Sequence, residues 1–155
     1  EDFKNQTRII LGGTRKGTNK LRQIYGLVFP KAHIIKTGSI TAEMIKYLTN
    51  TFLSTKVSFA NEMYLICEKL GIDYDKVVEY ATLDDRLGVT HWNVPGPDGD
   101  YGFGGHCFPK DLQALLSICD YYDLDSDVLR GTVHTNNKVR KDRDWEKMKG
   151  RAVSE

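Results

Sequence analysis

The longest regular pattern of apolar positions runs from residue 39 to residue 70, a stretch without glycine or proline. Its apolar residues recur at steps of three, four and seven, the spacing of one face of an α-helix: Ile45, Leu48, Phe52, Phe59, Met63, Ile66 and Leu70. At about 1.5 Å per residue, such a helix is roughly 45 Å long. Gly71 can end it in the left-handed conformation. One small core cannot cover that length, so the pattern predicts a long helix with a face for a partner and gives the first indication of a homodimer.

The start of the chain alternates between short apolar runs and a helical stripe. Residues 7–13 ("TRIILGG") and 32–38 ("AHIIKTG") are rich in β-branched residues and are predicted to form strands. Between them, residues 19–29 carry a weak helical stripe that Pro30 closes, and residues 12–17 ("GGTRKG") are predicted to form a turn. Strand, helix and strand in this order predict a piece of a parallel α/β unit, too small to form a sheet domain by itself.

Shorter helical patterns follow the long one. Residues 73–83 form a predicted helix with Asp73 as its N-cap, and residues 126–140 form another. Pro109 is predicted to be the first residue of the helix between them. Residues 84–108 hold most of the glycines and prolines of this half of the chain, and a loop of that length is usually functional or disordered. The chain is therefore predicted to be mainly α, with a short α/β start.

Composition and charge limit the function classes. The chain carries 22 Lys and Arg against 21 Asp and Glu, a formal net charge of +1. This near balance argues against a nucleic-acid partner and against a role at a membrane surface, because both usually need a basic face. No apolar run approaches the about 20 residues that a membrane span needs. Residues 143–155 mix charges of both signs and are predicted to form a charged tail or linker.

The chain has three cysteines and no C-x-x-C pair: Cys67, Cys107 and Cys119. This argues against a disulfide framework and against a zinc site, and it favours a reducing cytoplasm. Cys67 and Cys119 lie on apolar helical stripes and are predicted to be small buried hydrophobes. The histidines show no metal-ligand spacing with the cysteines, so no metal ligands are assigned.

Cys107 stands in unusual surroundings, the segment "GFGGHCFPKD" at residues 102–111. It comes just before the predicted start of a helix, where the partial positive charge of the helix and nearby Lys110 favour the nucleophilic thiolate form. The glycines before it leave room for backbone N–H groups to approach a ligand. Asp111 lies one helical turn further on and can share a face with the thiol. The segment predicts a reactive thiol, and an inert buried cysteine is the alternative.

Three segments together resemble the nucleotide-sugar dehydrogenases, the UDP-glucose and GDP-mannose dehydrogenase family: "TAEMIKYLTNTFLSTKVSFANEM" (residues 41–63), "DDRLG" (84–88) and "GFGGHCFPKD" (102–111). The resemblance covers roughly residues 38 to 140. It implies that residues 39–142 form the family's central helical domain, a long-helix dimerisation domain like the C-terminal domain of 6-phosphogluconate dehydrogenase. By the same resemblance, residues 1–38 are the remnant of an α/β dinucleotide-binding domain. "DDRLG" resembles the UDP-glucose branch more than the GDP-mannose branch.

The resemblance implies an enzyme that oxidises the C6 alcohol of UDP-glucose, or of a related nucleotide sugar, to a carboxylate in two NAD-dependent steps. Cys107 would be the nucleophile that forms a thiohemiacetal and then a thioester. Lys46 and Asn50, four residues apart on the long helix, would stabilise the alkoxide or oxyanion. Asp111 would help to place Lys46 and the hydrolytic water. Without the resemblance, Lys46 alone would be interpreted as a solvated helix lysine.

The resemblance also implies binding residues. Arg86 would reach the sugar nucleotide across a dimer interface, where a planar guanidinium suits phosphate and sugar oxygens. Lys110 would contact the cofactor. The sugar would contact the glycine loop: Gly102, Phe103 and Gly104. His106 departs from the serine or tyrosine that the family usually carries there, and an ordinary loop histidine is the simpler interpretation. Taken alone, Arg86 would be interpreted as a surface arginine at a helix end.

The sequence lacks one element that a nicotinamide enzyme needs, a strand followed by G-x-G-x-x-G at the start of a helix. The chain also begins without a methionine, so we expect a fragment that is inactive by itself and that relies on another domain for NAD. Two alternatives remain open, a non-catalytic helical dimerisation module that retains the cysteine loop and, more weakly, a metal-binding helical protein. For the enzyme, a cytoplasmic setting and a role in polysaccharide biosynthesis are expected.

Overall fold

The computed structural model describes residues 5–148. The strands and helices follow in the order β1 (Arg8–Gly12), α1 (Arg15–Val28), β2 (His33–Thr37), α2 (Ser39–Leu70), α3 (Tyr74–Ala81), α4 (Cys107–Tyr121) and α5 (Asp127–Val139). Two short 3₁₀ turns, Asp85–Leu87 and Asp144–Lys147, complete them. The prediction of a mainly α chain with an α/β start is confirmed. Of the helices within residues 5–148, none is both long enough and apolar enough to cross a bilayer.

The chain divides between Leu48 and Thr49, inside α2, into two compact units. In the first unit β1 and β2 pair in parallel, with Ile10 opposite Ile35, and α1 connects them, as the strand–helix–strand pattern predicts. The segment predicted as a turn is partly helical, because α1 already begins at Arg15. Thr14 makes this early start favourable, since its side-chain oxygen accepts the N–H of Gly17 at 3.2 Å and satisfies a donor that the first turn leaves unpaired.

The long helix α2 has the bounds that the apolar pattern predicts. Gly71, with φ of +67°, ends it in the left-handed conformation, and the N–H of Ile72 donates to the carbonyl of Cys67 at 2.9 Å. The next helix, α3, also begins as predicted, because the side chain of Asp73 accepts the N–H groups of Asp75 and Lys76 at 3.1 and 3.3 Å. Both boundaries could be predicted from the sequence because Gly71 and Asp73 act on the residues next to them.

The prediction for the start of α4 was wrong by two residues. The helix begins at Cys107, so Pro109 is its third residue and not its first. All of the first-turn positions lack an intrahelical acceptor for their N–H groups, so proline at the third position loses no helical hydrogen bond. The predicted helix at 126–140 is confirmed as α5. Part of the predicted tail, residues 149–155, lies outside the described residues.

The second unit has a small apolar core between α2, α3 and the long loop: Ala60, Cys67, Tyr74 and Val94. The hydroxyl of Tyr74 donates to the carbonyl of Trp92 at 2.7 Å, which ties the loop to this core. Burial, with smaller contributions from Asp75 and Cys67, raises the pKa of Tyr74 to about 12. Cys67 is buried as predicted, with 3% of its surface exposed.

Helices α2 and α5 meet through small polar side chains instead of apolar ones. Ser58 Oγ donates to the carbonyl of Thr132 at 2.9 Å, and Thr135 Oγ1 donates to Glu62 Oε1 at 3.0 Å. Because each of these groups finds a partner, the buried polar contacts cost little and hold the two helices in one register. Hydrophobic periodicity cannot predict such an interface, since its members are polar.

Candidate functional site

Cys107 is an exposed thiol on the first residue of α4. Its Sγ lies 3.5 Å from Nε2 of His106, the residue that precedes the helix. The free N–H groups and the positive end of the helix dipole are therefore close to the sulfur, which is the arrangement that the sequence predicted although the helix starts at the cysteine itself. The third cysteine, Cys119, lies further along α4 and is half-buried.

Asp111 lies one turn after Cys107 and is completely buried. Its Oδ1 pairs with Nζ of Lys110 at 2.6 Å, and its Oδ2 accepts a hydrogen bond from Nδ2 of Asn50 at 2.5 Å. A buried carboxylate is tolerated only with such partners, because an unpaired charge loses its hydration without compensation. The pairing joins Asn50 on α2 to the start of the second turn of α4.

Lys46 belongs to the first unit and lies on α2, one turn before Asn50. Its Nζ lies 5.8 Å from the centroid of the Tyr47 ring. Asp111 contacts Lys110 and Asn50, and its predicted help in placing Lys46 stays a prediction. The catalytic role of Lys46 stays a prediction.

The second unit contains a cavity of about 590 Å³ beside the glycine loop. It is lined by Val57, Thr90, His91, Asn93, Gly96, Pro97, Asp98, Gly102, Phe103, Gly104, Gly105, Phe108 and Asp144. The three residues predicted to contact the sugar are among them. Phe103 packs edge-on against Phe108 with ring centroids 5.9 Å apart, and Phe108 is the neighbour of Cys107 in α4. The cavity and the thiol therefore share one short segment, although Cys107 is not a lining residue.

The glycine loop is held by two asparagines that the sequence did not single out. Asn61 Oδ1 on α2 accepts the N–H of Gly102 at 3.1 Å. Asn136 on α5 accepts the N–H of Phe103 at 2.7 Å and donates to its carbonyl at 3.0 Å. A Cβ on Gly102 would overlap Asn136, so glycine is needed here for close packing. The N–H groups of Gly102 and Phe103 therefore bind acceptors inside the chain, whereas the sequence predicted that the N–H of Gly102 would approach a ligand. The available clue was asparagine, a poor helix former, inside two helices.

Arg86 lies on the 3₁₀ turn Asp85–Leu87, and 88% of its side chain is exposed. Its guanidinium donates to Asp84 through Nε at 2.9 Å and through Nη2 at 2.5 Å. This pair raises the pKa of Arg86 and lowers the pKa of Asp84. Such exposure is consistent with either a surface ion pair or the predicted contact across a dimer interface, and the second stays a prediction.

Lys56 on α2 fixes the segment that follows Arg86, a contact that the sequence did not indicate. Its Nζ donates to the carbonyls of Leu87 and Gly88 at 2.8 and 3.0 Å, and it lies 4.6 Å from the centroid of the Trp92 ring. Burial lowers the pKa of Lys56. Burial and the charge of Lys56 also lower the pKa of His91, which lines the cavity.

Within residues 5–148, no group of three His, Cys, Asp or Glu side chains has a geometry that could hold a metal ion. The chemistry that the arrangement supports is that of a nucleophilic thiol. The thiol is exposed and begins α4, and the buried carboxylate of Asp111, one turn further along α4, holds the amide of Asn50 on α2.

Comparison with known proteins gives consistent results. Residues 40–138 match the UDP-glucose/GDP-mannose dehydrogenase family, central domain. The chain is 41% identical over 140 residues to a UDP-glucose 6-dehydrogenase of Rickettsia bellii, which covers 89% of this chain and 31% of that protein. It is 38% identical over 141 residues to the UDP-glucose 6-dehydrogenase TuaD of Bacillus subtilis, covering 90% and 29%.

A solved structure shows the same similarity in three dimensions. A UDP-glucose dehydrogenase from the hyperthermophilic archaeon Pyrobaculum islandicum superposes with a TM-score of 0.80 at 33% identity, over 88% of this chain and 30% of that one. The chain thus spans about 30% of the length of the relatives that it matches.

Proposed function

The chain belongs to the UDP-glucose/GDP-mannose dehydrogenase family, and on that premise we propose that it forms the thiol-bearing part of an enzyme that oxidises the C6 alcohol of UDP-glucose to a carboxylate. One observation carries the proposal. The exposed Cys107 begins α4 one turn before the buried Asp111, and Asp111 binds the amide of Asn50 on α2. A nucleophile and an oriented hydrogen-bond donor are thereby placed on two helices that this hydrogen bond joins, as covalent catalysis requires.

The step assigned to this chain is addition of the thiol to the C6 aldehyde of the sugar. The S–H bond of Cys107 breaks, an S–C bond forms at C6, and the carbonyl oxygen takes up the proton to give a thiohemiacetal. The amide of Asn50 has two N–H groups, so it can donate one to Asp111 and the other to the developing oxyanion. We propose that the ammonium of Lys46 stabilises the same charge.

Oxidation of the alcohol and of the thiohemiacetal needs a hydride acceptor, and we propose NAD for the whole protein. The described residues of this chain do not suit it. The turn between β1 and α1 lacks the G-x-G-x-x-G spacing, and Thr14 itself caps α1. We therefore assign to this chain no reaction step that uses NAD, and we expect the chain alone to produce no NADH. The proposed cofactor contact of Lys110 stays part of the hypothesis, while its ammonium pairs with Asp111.

We propose the cavity as the place of the nucleotide sugar, because Gly102, Phe103 and Gly104 line it next to the segment that carries Cys107. Arg86 is proposed to reach the nucleotide sugar of a partner subunit. Free thiols and a nucleotide-sugar substrate are consistent with the cytoplasm and with polysaccharide biosynthesis.

A homodimer is proposed through the outer face of α2. Phe52, Phe59 and Ile66 lie seven residues apart on this helix and are 66%, 52% and 49% exposed. Complete burial of an exposed side chain of this size is worth about 1.5–3 kcal/mol, so each of these partly exposed side chains would contribute roughly half of that value. The same face also favours the second candidate function, a helical dimerisation module in which the cysteine loop has no chemistry.

Ligand protection of Cys107 separates the two candidates. The full 155-residue chain is treated with iodoacetamide, with and without UDP-glucose, and the modification of each cysteine is followed by mass spectrometry. The enzyme proposal expects UDP-glucose to slow the modification of Cys107 and to leave that of Cys119 unchanged. Glucose at the same concentration is the matched control.

If no nucleotide sugar alters the alkylation of Cys107, the dimerisation module is the better conclusion. A parallel incubation with NAD and UDP-glucose is expected to give no NADH. Turnover by this chain alone would contradict the proposal that another part of the protein supplies the NAD site.

A further inference from the structure

Arg140 follows the last residue of α5 and is a buried guanidinium surrounded by acids. Only 4% of its side chain is exposed. Nη1 lies 2.7 Å from Asp98 Oδ2, Nε lies 3.5 Å from Asp100 Oδ2, and Nη2 lies 3.5 Å from Asp144 Oδ1. Nε also donates to the carbonyl of Asp142 at 2.7 Å. A buried guanidinium is costly to desolvate unless carboxylates surround it in this way.

The charges in this group act on one another. Burial alone would raise the pKa of Asp98, but the close guanidinium of Arg140, 2.7 Å away, and the N–H of Asp100 bring that pKa below its ordinary value. The N–H of Asp142, which follows Arg140 closely, is the main cause that lowers the pKa of Asp100, and the charge of Arg140 adds to it. The ionised form is thus favoured at Asp98 and Asp100, the two carboxylates whose pKa lies below its ordinary value.

The same group touches the glycine loop directly. Both carboxylate oxygens of Asp144 accept the N–H of Gly105, at 3.1 and 3.0 Å. Nη2 of Arg140 lies against Gly104, where an added Cβ would overlap both the guanidinium and Asp144. Gly105 has φ of +69°, a conformation that favours glycine, and it stands two residues before Cys107. The loop conformation that leads into α4 is therefore set against Arg140 and Asp144.

We propose that Arg140 is a positioning residue that acts through Asp144 on Gly104 and Gly105 and so fixes the point from which α4 presents Cys107. Asp98 and Asp144 also line the cavity, so Arg140 sets one cavity wall and the start of α4 together. The chemical meaning of this role rests on the proposed function, whereas the geometry stands without it. A lysine in its place could not reach the three carboxylates at once, because it lacks the planar fork.

Amide hydrogen exchange tests the positioning directly. In the full 155-residue chain, Arg140→Met is expected to speed exchange at Gly105 by about tenfold, the effect of losing one hydrogen bond of ordinary strength. Exchange at Gly102 is the internal control, because Asn61 on α2 holds its N–H independently of Arg140. A merely structural role would loosen both glycines alike through global unfolding.

A double-mutant cycle tests the route. If Arg140 acts through Asp144, then Arg140→Met adds little to Asp144→Ala at Gly105. Additive effects, or unchanged exchange at Gly105 in a folded Arg140→Met, would overturn the proposal. Should Arg140→Met fail to fold, Arg140→Lys carries the test, because it keeps the positive charge but lacks the planar fork, and unchanged exchange at Gly105 in that variant would overturn the proposal. Glu146→Gln is the matched control, since Glu146 lies on the same 3₁₀ turn and pairs with Arg143.

The alkylation of Cys107 connects this result to function. When UDP-glucose protects the thiol in the wild-type chain, folded Arg140→Met is expected to lose most of that protection, and full protection in the variant would contradict the positioning role. When UDP-glucose protects nothing in the wild type, the proposed function fails while the exchange at Gly105 still decides the positioning role.

Discussion

Asp111→Asn tests whether the buried carboxylate organises the candidate site. The change keeps the shape of the side chain and removes its charge. In the native chain Asp111 is fully buried and accepts one bond from Lys110 at 2.6 Å and one from Asn50 at 2.5 Å. In the variant, only one oxygen remains as an acceptor, and the new NH₂ group must face one of the two donors.

The expected cost follows from these contacts. A hydrogen bond to a charged group contributes about 1.5–3 kcal/mol, and a neutral one about 0.5–1.5 kcal/mol. The bond from the Asn50 amide survives in neutral form, and the Lys110 ammonium then faces the new NH₂ group, a contact between two donors. The side chain of Lys110 is 38% exposed and can turn to water, which reduces the loss on that side. We therefore expect Asp111→Asn to lower the free energy of unfolding by about 2–3 kcal/mol.

Urea unfolding followed by tryptophan fluorescence measures this change in the relevant unit, because Trp92 and Trp145 both lie in the second unit. Asp120→Asn is the matched control. Asp120 also lies on α4, but its ion pair with Arg130 is exposed on both sides, so its loss should cost at most about 1 kcal/mol. Equal midpoints for the two variants would refute the assignment of Asp111 as the residue that joins α2 to α4.

Three further outcomes are expected. Iodoacetamide should modify Cys107 much faster than Cys67, since the first is exposed and the second is 3% exposed, and comparable rates by mass spectrometry would contradict the position of the thiol. Burial and the charge of Lys56 lower the pKa of His91. When the pH falls through about 6.5, the ordinary pKa of histidine, His91 therefore takes up a proton more readily in the unfolded chain than in the folded one, and the free energy of unfolding decreases. Ring titration by NMR should place His91 below 6.5, Lys56→Met should raise that pKa, and no change in the variant would exclude the charge effect. Phe59→Asp should shift the chain to monomer in sedimentation at micromolar concentration; a native chain that is already monomeric would contradict the proposed dimer.

Local signals in the sequence were sufficient for most of the helices and strands. The absence of glycine and proline together with the 3.6-residue period marked α2 at both ends, and Gly71 and Asp73 act on their own neighbours. The parallel α/β start followed from two β-branched runs around a helical stripe. The errors, at Thr14 and at Pro109, lie where a helix start depends on which of several first-turn residues supplies a partner or needs none.

Local signals in the sequence predicted only part of the candidate site. Cys107 and Asp111 fall on one face of α4 because their spacing is one helical turn, and this is a property of the sequence. That Asp111 meets Asn50 depends on how α4 packs against α2, across a separation of 61 residues. Helical periodicity predicts which side chains share a face of one helix, but it does not predict which face of another helix they will contact.

The contacts that shape the glycine loop were decided by the tertiary structure alone. Asn61, Asn136 and Arg140 are polar, lie far from the loop in the chain, and reach it only after α2 and α5 have packed. A motif such as "GFGGHCFPKD" can be recognised from consecutive residues, because backbone freedom and helix dipoles are local properties. The acceptors of its N–H groups cannot be predicted in this way, because each donor binds whichever acceptor the fold brings within about 3 Å.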